Sequence, residues 1–91
     1  MGLLIVHHRV KSFSTWRAGF DRHASTREAA GLTNGQVFQS SDDPNDVIIL
    51  LEMADLCRAR DFVMSEGSWT AMLGAGVIDM PMFHFLTGPA V

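Results

Sequence analysis

The sequence predicts an α+β domain in the order strand–helix–strand–strand–helix–strand. Three observations predict it. Four short apolar runs are separated by two stretches of helical spacing. The run Val47-Ile48-Ile49-Leu50-Leu51 has no polar alternation, so both faces of that strand are expected to be covered. Turn residues cluster between the second and third runs, as Ser41-Asp42-Asp43-Pro44-Asn45-Asp46.

Residues 3–10, Leu-Leu-Ile-Val-His-His-Arg-Val, read as the first strand. Ser12 or Ser14 can supply a capping oxygen for the helix that follows. Over 13–30, Phe13, Trp16, Phe20 and Ala24 recur at i, i+3, i+7 and i+11 and form one stripe. Arg22, Ser25, Thr26 and Ala29 turn away from it, and His23 and Arg27 sit at its edge. Gly31 suits a helix C-terminus and Asn34-Gly35 a turn. Gln36–Ser40 is a poorer strand with two large apolar residues, Val37 and Phe38, as befits a sheet edge.

The third strand spans Val47–Met53. Asp55 is placed to cap a second helix whose apolar face is Leu56, Ala59, Phe62 and Val63. Glu66-Gly67 interrupts it, and Ser68–Leu73 continues for a turn or two with Trp69. The last strand is expected at Met80–Leu86, ended by Gly88-Pro89. This order is that of a ferredoxin-like split sheet: four antiparallel strands with the helices on one face. One domain covers residues 1–91. Two helices cannot cover both faces of such a sheet, so the second face is expected to pair with a second copy, giving a homodimer of sheets packed face to face.

Composition narrows the function classes. The chain is 47% hydrophobic and 19% charged, with a net charge of −3. The few Lys and Arg residues are scattered, which argues against nucleic acid and against an anionic membrane surface. No run approaches the ~20 apolar residues of a membrane span, and the N-terminus reads as a strand, not a signal peptide. The single Cys57 has no disulfide partner within the chain, so a cytoplasmic location is the expectation.

Candidate chemistry centres on histidine. His7 and His8 must point to opposite faces of their strand, and His84 lies on the strand expected beside it. An imidazole in an apolar pocket has a lowered pKa and can serve as a base. Two such ligands are too few for a metal site, and no H-x-x-x-H or Cys cluster is present. Trp16, Phe20 and Trp69 can wall a pocket for a flat ligand. His23 and Arg27 can line its mouth and receive an acidic or phenolic group. Arg9 and Glu52 read as an ion pair on one face. Helix–sheet packing alone also explains the aromatic spacing, and core hydrogen bonding the histidines.

The frame Phe13-x-x-Trp16-x-x-x-Phe20-Asp21, Ala30-Gly31, Asp42-Asp43-Pro44-Asn45-x-Val47, Glu52-x-x-Asp55, Ala59-x-x-Phe62 and Met72-x-x-Ala75-Gly76-Val77 resembles the dimeric α+β barrel superfamily, which includes the antibiotic-biosynthesis monooxygenase-like and stress-responsive barrel proteins. The resemblance spans roughly residues 3–86. It implies paired sheets, and one pocket per subunit between sheet and helices. It also implies a small hydrophobic or aromatic ligand and monooxygenase-like or isomerase-like chemistry with no dedicated cofactor. The chain departs from the pattern in having no Tyr, and in carrying His7 and His8 where haem-degrading relatives keep an Asn. The alternative reading is a non-catalytic dimer with a binding or regulatory role.

Overall fold

The computed structural model describes residues 2–88. Four strands form one antiparallel sheet: β1 (Gly2–Arg9), β2 (Leu32–Gln39), β3 (Asp46–Met53) and β4 (Met82–Thr87), in spatial order β2-β3-β1-β4. Four helices fill the two crossovers. α1 (Phe13–Arg22) and α2 (Ala24–Ala29) lie between β1 and β2; α3 (Leu56–Val63) and α4 (Glu66–Gly74) lie between β3 and β4. This is the ferredoxin-like arrangement, with the first expected helix divided in two and the second interrupted as expected.

Strand alternation sorts the sheet into two surfaces. Leu4, Val6 and His8 of β1, with Val47, Ile49, Leu51 and Met53 of β3, are buried on the helix side. One rung there runs Val37–Ile49–Val6–Phe83 across all four strands. The opposite surface carries the rung Phe38–Ile48–His7–Met82, followed by Gln36–Leu50–Ile5–His84. Phe38, Ile48, Met82 and Leu86 are exposed there. The unbroken apolar run of β3 thus serves a packed core with one parity and an open sheet face with the other.

The first helix departs from a single span over 13–30. It breaks at His23 (φ −97°, ψ 15°). The Phe20 carbonyl at that end accepts the His23 backbone N–H (3.2 Å) and the Arg27 Nη1 (2.6 Å). A guanidinium satisfying a terminal carbonyl stabilises a helix end without glycine. Neither Ser12 nor Ser14 caps α1. Ser12 occupies the cap position without a side-chain cap bond, and Asn45 Oδ1 from the β2–β3 turn accepts the Phe13 N–H at 3.0 Å. Asp55 caps α3 as expected, accepting the Arg58 N–H at 3.1 Å. Ser65 caps α4 through Ser68 N–H, so that helix starts at Glu66 instead of Ser68.

Asn34-Gly35 is not a turn. β2 begins at Leu32, and its register with β3 shifts between Thr33 and Gln36, with Asn34 at φ 52°. This is a bulge within a paired strand. A Cβ on Gly35 would stand 3.1 Å from Leu51 Cδ2, so the missing side chain gives room to Leu51. β4 starts at Met82, two residues later than expected, and Pro89 lies outside the described residues. Arg9 and Glu52 do not pair. β1 and β3 are antiparallel, which places Arg9 opposite Asp46 at one end and Glu52 opposite Leu3 at the other. Arg9 Nη2 donates to Asp43 Oδ2 at 2.8 Å, and Glu52 accepts from Asn34 Nδ2.

Candidate functional site

A cavity of about 340 Å³ lies between the helix side of the sheet and helices α1–α4. Its floor is Leu4, Val6, Ile49 and Leu51, and Phe62, Met72 and Phe83 close its sides. The exposed lining residues His23, Thr26 and Gly67 mark its mouth. Size and lining are those of a small-molecule pocket, apolar with a few polar groups.

His8 is the buried polar residue on this wall, 2% exposed. Strand parity puts it there: Leu4 and Val6 must enter the core, so the residue two further on follows them. Its Nδ1 is sealed from solvent and has no hydrogen-bond partner among the described residues. The imidazole stands edge-on to Trp16, with centroids 5.6 Å apart and planes at 71°. Burial pushes its pKa below the usual histidine value; its own backbone and the distant Asp79 and Asp46 pull the other way with smaller effect. The ring is therefore neutral at pH 7 and able to accept a proton.

From His8 an aromatic column runs along α1. Trp16 stacks on Phe20 (5.0 Å, 25°), and the Arg27 guanidinium lies over the Phe20 ring, its Cζ 3.5 Å from the centroid. Arg27 is half-buried, and burial lowers its pKa from the ordinary arginine value, against the pull of Asp21 and Glu28. It remains a cation.

The structure separates the three candidate catalytic histidines. His8 faces the cavity. His7 and His84 both face the open side of the sheet, where His7 Nε2 meets Asp46 Oδ1 at 2.7 Å. Trp16, Phe20, His23 and Arg27 line the cavity, whereas Trp69, half-buried on α4, does not. Its neighbours Ser68, Ala71 and Met72 line it instead. Thr26, assigned to the outward side of the first helix, reaches the rim because the break at His23 redirects α2. Gly19 also lines the cavity. A Cβ there would come within 3.1 Å of Ala75 Cβ, so the glycine lets α1 approach the end of α4. A glycine inside a helix costs about 1 kcal/mol against alanine, and that cost was the signal available in the sequence. Among the described residues no three His, Cys, Asp or Glu side chains converge as a metal site.

No family model and no curated protein matches the sequence. Solved structures do match the fold. SnoaB from Streptomyces nogalater, a cofactor-independent oxygenase, is 12% identical over 99% of this chain and 94% of its own, with a TM-score of 0.76. An antibiotic-biosynthesis monooxygenase-like protein from Bordetella bronchiseptica is 15% identical over 98% of this chain and 97% of its own, at 0.80. Another structure, described as an antibiotic biosynthesis monooxygenase, is 10% identical over 99% of this chain and 100% of its own, at 0.72. The chain shares the fold of these antibiotic-biosynthesis monooxygenase-like proteins.

Proposed function

We propose that the chain is a small homodimeric protein that takes a small hydrophobic or aromatic metabolite into this cavity and uses neutral His8 as a general base. The observation that carries the reading is the unpartnered, buried imidazole at the wall of an otherwise apolar cavity. An unsatisfied buried nitrogen costs on the order of 1–3 kcal/mol; a turn of the ring that brings it to a ligand O–H or acidified C–H recovers that cost and positions the proton for transfer.

Two outcomes follow from one proton transfer. In an isomerase-like reaction the proton returns to a different carbon of the delocalised anion. In a monooxygenase-like reaction the carbanion gives an electron to O2, the two radicals combine, and loss of water leaves a carbonyl, so that substrate CH2 plus O2 becomes substrate C=O plus H2O. The fold shared with a cofactor-independent oxygenase supports the second. The open cavity supports a ligand-binding role over a purely structural one, because a purely structural interior is filled by side chains.

The test is oxygen uptake and solvent-deuterium incorporation with one- and two-ring phenols and enolisable ketones. His8→Gln is expected to lower turnover by about 10²–10⁴-fold with ligand binding retained. His84→Ala, on the far side of the sheet, is expected to leave turnover unchanged. Equal turnover in wild type and His8→Gln overturns the assignment.

A further inference from the structure

We infer that the ligand is an anion: a flat aromatic acid whose ionised oxygens meet Arg27 at the cavity mouth while its ring lies against Trp16 and Phe20. This rests on the reading of the cavity as a ligand site and adds the charge of its occupant.

Three observations carry it. Arg27 is half-buried, yet no carboxylate lies within ion-pair distance of it among the described residues; the arginine ion pairs there join Arg9 to Asp43 and Arg17 to Asp21. Its guanidinium is held in place rather than free to seek water. Nη1 is bonded to the Phe20 carbonyl at 2.6 Å and the plane rests on the Phe20 ring. A fixed, partly desolvated fork of N–H donors with no counter-ion is matched by a carboxylate or phenolate. Third, the lining is mainly apolar, and its buried polar group, His8, is uncharged, so Arg27 is the fixed cation that an anion inside would meet.

Size sharpens the class. At about 340 Å³ the cavity sits near the lower end of the ~300–1,000 Å³ typical of ligand pockets. One or two fused rings with a single acidic group fit this volume, with the ring on the Trp16–Phe20 stack.

Calorimetry at pH 7.5 with 1-naphthoate and its neutral near-isostere 1-naphthamide tests this. Wild type is expected to bind the acid at least tenfold tighter than the amide. Arg27→Gln is expected to bring that ratio near one, and Arg27→Lys to retain part of it. A wild-type ratio near one, with both probes bound, overturns the anion inference and leaves the aromatic pocket standing. Binding of neither probe overturns both. A preference for the acid that survives Arg27→Gln assigns the charge recognition elsewhere and overturns the role of Arg27. Should Arg27→Gln not fold, the wild-type ratio and Arg27→Lys decide.

Discussion

His8 meets the edge of Trp16 at a centroid distance of 5.6 Å, and this contact joins the sheet to the aromatic column of α1. Under the proposed function it is also where stability and chemistry oppose each other. The imidazole fills space beside Trp16 but leaves Nδ1 without a partner.

His8→Leu therefore removes a desolvated polar atom while keeping an apolar contact with Trp16. The expected effect is a gain on the order of 1 kcal/mol, seen as a rise in Tm of about 4–8 °C for a domain of this size. Under the proposed function, turnover is expected to be lost in the same variant. A fall in Tm would show that Nδ1 is satisfied in solution.

Burial lowers the pKa of His8 in the folded state, so the unfolded chain binds that proton more readily. The sign follows from linkage: stability rises with pH wherever the unfolded state holds more protons. Its contribution is fully present above the unfolded value of about 6.5 and is lost as pH falls toward the folded value. Urea midpoints between pH 5 and pH 8 are expected to fall more steeply toward acid in wild type than in His8→Gln. Parallel curves would remove His8 as the source.

Asn45→Ala deletes the acceptor for the Phe13 N–H at the start of α1. Loss of a capping oxygen costs about 0.5–2 kcal/mol. Ser12→Ala, which removes no cap bond, is expected to cost less. Chemical denaturation of the two variants checks the order; the reverse order would return the capping role to Ser12.

The open sheet face tests the assembly. Ile48 sits beside Phe38 and His7, in the rung that ends at Met82. Sedimentation equilibrium at micromolar concentration is expected to give twice the chain mass for wild type and the single-chain mass for Ile48→Lys, because an unpaired charge at the centre of an apolar interface is not tolerated. A single-chain mass for wild type would refute pairing through this face.

Much of the fold was legible because β1 and β3 are apolar enough to exclude other readings, and because Phe13, Trp16 and Phe20 recur with helical period. The cavity wall along α1 followed from the same period. Other features depend on partners distant in sequence. Asn34-Gly35 has the composition of a turn, and only pairing of Leu32 and Thr33 with β3 makes it a bulge. No glycine or proline announces the break at His23; it is stabilised by Arg27 reaching back to Phe20. Alternation placed His7 and His8 on opposite faces, but which one entered the core depended on packing against the helices. Trp69 sits in a helix apolar on most sides, where periodicity carries no direction.

His7 and His8 are joined by one peptide bond, yet one imidazole belongs to the cavity and the other, with Asp46, to the far surface. A one-residue slip of β1 against β3 would exchange their destinations, burying the carboxylate-paired ring and leaving His8 outside. Natural length variation in proteins built this way should therefore collect in the β2–β3 connection and around α4, and spare the segment from Gly2 to Val10.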